Sequence, residues 1–596
     1  MSTHAARLER TRDLRLHAVL LGSRAAPLAL AGLSLVLILV TWNTWGNPAS
    51  DTGYDTLAGI RVAHGQLPYV DFTYYYGPLA PLGLGLASLL GGAGAWPSIG
   101  FGLAVALGIV FATYALAASL AGPRGGFLAG ALVAVVAFAP TELSFVNPHT
   151  TSATLGVLTA LAFLLCVRRA AEASSRRWLL AAGACAGLCA LTRYEFAVAV
   201  FVAGVVWMAL RLRGRLSTWR DLAALSAPAV AIPAVVYGAF LTAVPLHRLV
   251  YDNLYPKDFL DAAGNVVLRS RMPWTVSSFA SLGSKLVLYG IGVAALLVLA
   301  RLIDRGGRLR TALLVLCAVG GSLAIVASVV NPDALRHGLE YAYGWIPAGA
   351  AVVALVLVWR NRRPTAEWGA RHQTELAVAI SLTVVAATTY NGFFIEAFAP
   401  QMAVYVLPLA AVFLVSLHLR ELAPNRTARI LGAVWLAALL GATAGLVLKD
   451  AAAETATVSS VGGSIATRPA DATAYRAAVS AIEQRTQPGD PILLAPQLTW
   501  LYALTERLNP LPQLSLLPGV LTTETEQRTA ISRLDAANVH LAIVDVHPFP
   551  AYDAGSFGVS YDRTLAQWIA RSFTKVAVVP VGDSGARLEI WSRRDS

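Results

Sequence analysis

The residues best suited to chemistry stand close together near the start of the chain. Between Gly46 and Gly77 the sequence sets Asp51, Tyr54, Asp55, Arg61, His64, Asp71 and the run Tyr74-Tyr75-Tyr76 among closely spaced Gly and Pro residues. Asp51 and Asp55 are four apart, so a helix would place them on one face. A carboxylate can take a proton from a hydroxyl as a general base, and cationic side chains can neutralise a departing phosphate. Candidate cations follow at intervals: Arg193, Lys257, Arg269, Arg271, Arg336 and His337, with Glu142, Asn147 and His149 in another short polar stretch. Lys257 stands out because the chain has only four lysines. Each type also has a plainer use. Asp55 and Asp71 could cap turns, Arg193 could pair with Glu195, Glu142 and His149 could be polar helix ends, and the cations could be surface charge. Tyrosines favour a membrane interface whatever else they do.

These residues need a scaffold, and composition says which kind. Of 596 residues 56% are hydrophobic and only 13% charged, more apolar surface than a soluble domain can hide. Apolar stretches of roughly 17–25 residues recur, each long enough to cross a hydrocarbon core of about 30 Å. Inside lipid the backbone must satisfy itself, so these stretches should be helices. The short alternating segments of a membrane barrel are absent. The net charge of +12 is spread in arginine clusters between apolar runs, which speaks for orientation in a membrane and against nucleic acid. All four cysteines (Cys166, Cys185, Cys189, Cys317) fall inside apolar runs, where a thiol is a small packing group.

The pattern predicts a polytopic α-helical membrane protein. A basic cytoplasmic tail (1–24) leads into a module over 25–450 with a first external loop at 46–77. Its first span lies near 25–45. The short, Gly- and Pro-rich stretch 78–94 reads as an interfacial or re-entrant helix. Further spans are expected near 98–120, 126–141, 150–167, 178–192, 195–210, 221–243, 281–301, 312–330, 343–359, 374–391, 401–418 and 428–448, about thirteen in all. An odd number puts the two chain ends on opposite sides. Arginine bias supports that register: loops assigned to the cytoplasm carry Arg168, Arg169, Arg176 and Arg177, and later clusters such as Arg211, Arg213, Arg215 and Arg220, while the opposite loops are poor in basic residues.

Residues 451–470 are small and polar and read as a linker. Beyond them, over 471–596, short apolar runs (491–496, 540–546, 576–581, 587–591) alternate with helical stretches near 471–485, 522–538 and 561–573. That pattern predicts an α/β domain with a small sheet, extracytoplasmic on this topology. It holds no Gly-rich phosphate loop and no metal-ligand cluster.

The order of one span, then Asp51-x-x-Tyr54, then Gly65-x-x-Pro68-Tyr69-x-Asp71-Phe72, then an apolar Pro-Leu helix, resembles the first loop of GT-C-fold integral membrane glycosyltransferases. It is most similar to the branch of protein O-mannosyltransferases and the lipid A aminoarabinose transferase (glycosyltransferase family 39-like). The resemblance implies an enzyme that moves a hexosyl or pentosyl group from a polyprenyl-phosphate carrier to a glycan, lipid or protein hydroxyl outside a plasma membrane. It implies Asp51 as the catalytic base. Tyr54, Asp55, Asp71, His149, Arg193, Lys257, Arg269, Arg336 and His337 are then candidates for substrate and phosphate binding. Many of those proteins carry a second acidic residue directly after the base. Here it is Thr52, which argues against a metal site, so no cofactor is expected. The rival readings are a flippase for a lipid-linked sugar, which should show internal repeats and polar residues at the bilayer midplane, a non-catalytic scaffold, and a metal-dependent oligosaccharyltransferase.

Overall fold

The computed structural model describes residues 24–48, 52–141, 144–173, 175–259, 261, scattered positions between 276 and 305, 308–331, 345–361, 368–388, 400–418, 440–441, 443–582 and 585–594. Asp51, Glu142, Arg269, Arg271, Arg336 and His337 lie outside these residues, as do most of the expected spans at 281–301 and 428–448.

Apolar helix α1 (Arg24–Val40) is followed by α2 (Thr52–Ala63) and α3 (Leu79–Gly91). At a rise of about 1.5 Å per residue, α3 with its 13 residues is too short to cross a bilayer. Then come α4 (Ala95–Ala137), α5 (Thr151–Ala173), α6 (Arg176–Cys189), α7 (Tyr194–Arg213) and α8 (Trp219–Leu241). Among the described residues four helices, α4, α5, α7 and α8, are long and apolar enough to cross a membrane. Gly122, at φ 81°, breaks α4 just before Pro123, so its two halves occupy the separately expected spans 98–120 and 126–141. Pro123 cannot continue the first half but is well suited to start the second. Helix α6, with 14 residues, is shorter than the span expected at 178–192. Helices Arg308–Val330, Trp345–Arg360, Ala370–Thr388 and Pro400–His418 match later expected spans.

Burial tells which helices line the interior. On α5 the buried positions include Thr151, Ser152, Ala153, Thr154, Gly156 and Ala160, small residues that let neighbouring helices approach closely where lipid supplies no hydrophobic drive. It packs against α4, α6, α7 and the helices 370–388 and 400–418. On α8 only Leu225 and Phe240 are buried, so that helix turns most of its apolar surface outward, the expected state of a lipid-facing helix.

The stretch 451–470, expected as a linker, is ordered. It holds an antiparallel hairpin of β1 (Ala456–Ser460) and β2 (Gly463–Thr467), with Val458 opposite Ile465. Its tip contacts the membrane module: Ala95 N–H donates to Gly462 O at 2.8 Å, and Asn43 bonds Ser464 and Ala466. Beyond it, β3 (Leu493–Ala495), β4 (Leu541–Val546), β5 (Phe573–Val581) and β6 (Ala586–Arg593) form one sheet in the order β3-β4-β6-β5. Only the β3–β4 pair is parallel. Helices Pro469–Arg485, Glu524–Ala536 and Arg563–Ser572 stand where the sequence places them. Helix 524–536 opens with a capping box: Thr523 accepts from Glu526 N–H, and Glu526 accepts from Thr523 N–H.

One buried acid in this domain makes its stability depend on pH. Asp562 is 2% exposed, and its Oδ2 has no hydrogen-bond partner among the described residues. Burial, with Glu526 adding, pushes its carboxyl from 3.8 up to about 8. Between those values the folded chain binds the extra proton, so stability is greatest at the acid end and falls as pH rises toward 8. Thermal unfolding of the full chain in detergent should show that slope. Asp562→Asn, which keeps the shape without the charge, should flatten it and raise the melting temperature above pH 8.

Candidate active site

Four turns meet where α2 begins. The segment after α1 is clasped to the end of α4: Thr141 N–H donates to Thr44 O at 2.8 Å, and Gly46 N–H to Thr141 O at 3.2 Å. The Tyr run is clasped to the turn before α7: Gly77 N–H donates to Thr192 O at 2.8 Å and Leu79 N–H to Leu191 O at 3.0 Å. A Cβ on Gly77 would lie 2.3 Å from Leu191 O, so only glycine permits this approach. Thr52, the first residue of α2, bonds back to Asn47, its Oγ1 accepting from Asn47 N–H at 2.9 Å and donating to Asn47 O at 3.1 Å.

Asp55 is the centre of the convergence. It is 2% exposed. Its Oδ1 accepts from the Tyr74 hydroxyl at 2.6 Å and its Oδ2 from the Thr151 N–H at 2.5 Å. Thr151 opens α5, so Asp55 caps a helix far away in the chain, satisfying one of its free N–H groups and facing the positive end of its dipole. The Tyr74 hydroxyl also lies 3.1 Å from Ser152 Oγ. Burial pushes the Asp55 carboxyl above its ordinary range, while the bonds from Tyr74 and Thr151 and the nearby His149 partly offset that rise. Both oxygens are engaged, so the geometry gives Asp55 a fastening role.

Arg193 and Glu195 form the second feature. Nη2 reaches Glu195 Oε1 at 2.6 Å and Nε reaches Oε2 at 3.1 Å, a two-pronged ion pair with side chains 9% and 2% exposed. The guanidinium lies over the Tyr76 ring at 4.9 Å, a cation–π contact. Of the two readings open for Arg193, the pairing with Glu195 is present. Tyr405, on helix 400–418, accepts from Thr150 N–H at 3.4 Å and stacks on Phe145. It also feels the charge of both Arg193 and Asp55.

The structure therefore gathers Asp55, His149 and Arg193, together with Tyr74, Tyr76 and Tyr405. Tyr54 is buried beside them, its hydroxyl on Thr73 O at 3.3 Å and its ring stacked with Tyr74 and Tyr75. Asp71 is elsewhere: its Oδ2 accepts from Leu67 N–H at 2.7 Å and closes a turn. Lys257 is exposed, on the segment after α8. That segment still packs on the first loop, with Asn253 Oδ1 accepting from Tyr74 N–H at 3.0 Å and Phe259 stacked on Tyr75. Tyr405 carries no local signal in its apolar stretch. Tyr74 and Tyr76 are visible in the sequence only as parts of an aromatic run.

The buried fastening can be measured. Tyr74→Phe removes a hydrogen bond to a carboxyl and should destabilise the protein by about 1.5–3 kcal/mol. In a double-mutant cycle with Asp55→Asn the two changes should be coupled rather than additive, read from denaturant unfolding in micelles. Gly77→Ala should be worse than either single change, because backbone must move to admit the methyl group.

Residues 76–237, about a quarter of the chain, match the sequence profile of the dolichyl-phosphate-mannose-protein mannosyltransferase family. No curated protein matches the chain in sequence. Among solved structures it aligns with ArnT from Cupriavidus metallidurans bound to undecaprenyl phosphate, at 17% identity over 94% of this chain and 97% of that one, TM-score 0.42. It also aligns with the Archaeoglobus fulgidus oligosaccharyltransferase tethered to an acceptor peptide, at 15% identity over 95% of this chain and 74% of that one, TM-score 0.44. Scores of this size decide nothing about the fold. The profile match does fall on the segment that supplies Tyr76, His149 and Arg193, so over residues 76–237 the chain is similar in sequence to that family.

Proposed function

We propose that the chain is a membrane glycosyltransferase that moves a sugar from a polyprenyl-phosphate carrier to an acceptor hydroxyl on the outer face of a plasma membrane. This reading is carried by one coincidence in the molecule. The family-matched segment supplies His149, Arg193 and Tyr76, and these lie around the same buried cluster as Asp55, at the start of the helix that follows Asp51. Arginine bias between the apolar runs supports a cytoplasmic N-terminus and an extracytoplasmic C-terminal domain.

In this reading Asp51 takes the proton from the acceptor hydroxyl as its oxygen attacks the anomeric carbon. The bond from that carbon to the phosphate oxygen breaks, and the phosphate leaves with the bonding electrons. Cations near the membrane surface offset the charge it gains; Lys257, Arg269, Arg336 and His337 are the candidates. A single displacement inverts the anomeric centre. With Thr52 in place of a second acid after Asp51, the chemistry is proposed to proceed without a metal.

Purified protein in detergent, given a polyprenyl-phosphate sugar and a hydroxyl acceptor, should release polyprenyl phosphate and yield product of opposite anomeric configuration. Asp51→Asn should lower kcat by about 10²–10⁴ with an unchanged melting temperature, and a chelator should leave the rate unchanged. Retention of configuration would overturn the single displacement. Movement of lipid-linked sugar across a vesicle membrane without transfer would favour a flippase, and full complementation by Asp51→Asn would favour a scaffold.

A further inference from the structure

Helix α2 is held from two sides. At about 100° per residue, Gly53 and Arg61 lie roughly 80° apart around the helix, while Asp55 lies about 200° from Gly53. Asp55 faces the membrane module, fastened to Tyr74 and Thr151. Gly53 and Arg61 face the C-terminal domain. A Cβ on Gly53 would fall 2.1 Å from the backbone nitrogen of Trp500, so helix Trp500–Thr505 lies directly against α2. At the other end Arg61, 8% exposed, donates from Nη1 to Leu511 O at 2.5 Å and from Nε to Gln66 Oε1 at 2.5 Å. Its guanidinium lies over the Phe72 ring at 5.0 Å, and the neighbouring Thr73 N–H donates to Pro512 O at 2.9 Å.

A cation taken out of water is costly unless its N–H groups are used, and an apolar side chain would fill this space without that cost. What Arg61 adds is direction. Its planar fork reaches a carbonyl of the other domain and the loop of its own at once, fixing the rotation and height of α2 relative to both. We infer that Arg61 is a positioning residue, through which the C-terminal domain sets the placement of α2, which follows Asp51 directly in sequence and carries Asp55 in its first turn. The inference rests on the glycosyl-transfer reading for its effect on rate, but its structural content stands apart from it.

Two readouts on the full-length protein test this. Arg61→Ala should speed amide hydrogen exchange along α2 at least about tenfold while exchange in α5 and α7 stays as in the parent. It should lower kcat for sugar transfer at least about tenfold with the donor KM changed less than about threefold, and Arg61→Lys should recover part of the loss. Gly53→Ala, at the other end of the same contact, should show the same pattern and serves where Arg61→Ala does not fold. As a control, Arg593→Ala breaks the ion pair to Asp535 inside the C-terminal domain and should leave α2 exchange and kcat unchanged. Parent-like α2 exchange in folded Arg61→Ala and Gly53→Ala protein would overturn the inference, as would a kcat that falls only in proportion to folded protein. A parent that transfers no sugar would overturn the functional reading, leaving the exchange result to decide the positioning role.

Discussion

A carboxylate withdrawn from water must find donors or give up its charge, and Asp55 finds them in two separate parts of the chain. One oxygen takes the Tyr74 hydroxyl and the other takes the backbone N–H at the head of α5. That demand joins the first loop, the Tyr run and a membrane helix at a single point. The turn at 191–193 is tied to the same run through Gly77 and Leu79. Arg193 then lies over Tyr76 with its charge satisfied by Glu195. Apolar packing alone would leave these loops free to slide, since lipid and side chains are alike to it. The polar contacts, each with fixed partners and directions, set their register.

The same logic separates what the sequence discloses from what it conceals. Hydropathy locates helices 308–330, 370–388 and 400–418, because crossing lipid requires length and apolarity that composition displays directly. The break at Gly122-Pro123 is equally plain, and so are the sheet runs, which end as β3 to β6. The Arg193–Glu195 pair is legible because its partners stand two residues apart. Asp55 is not: its partners lie 19 and 96 residues away, and nothing local distinguishes a carboxylate that binds substrate from one that caps a distant helix. Tyr405 is silent for the same reason, as one aromatic within an apolar span.

The hairpin at 456–467 fails to show for a different cause. Each of its strands contributes one large apolar residue, Val458 and Ile465, among small polar ones. Such strands gain little from propensity and depend on what they pack against, here Trp96 and the start of α4. Composition therefore reads them as linker, and only the neighbouring module makes them a structure. The C-terminal domain is thus continuous with the membrane module through hydrogen bonds on both the hairpin and the 511–512 segment.

That continuity has a bearing on biosynthesis. The N–H at the head of α4 ends on a carbonyl of Gly462, a residue made long after α4 itself has been delivered to the bilayer. Ribosomal order thus runs against structural order: the head of an early helix gains this carbonyl partner only once the later hairpin has folded. Nascent chains stalled short of the hairpin would hold their membrane segments yet lack this contact, so the docking of the head of α4 waits on residues made much later.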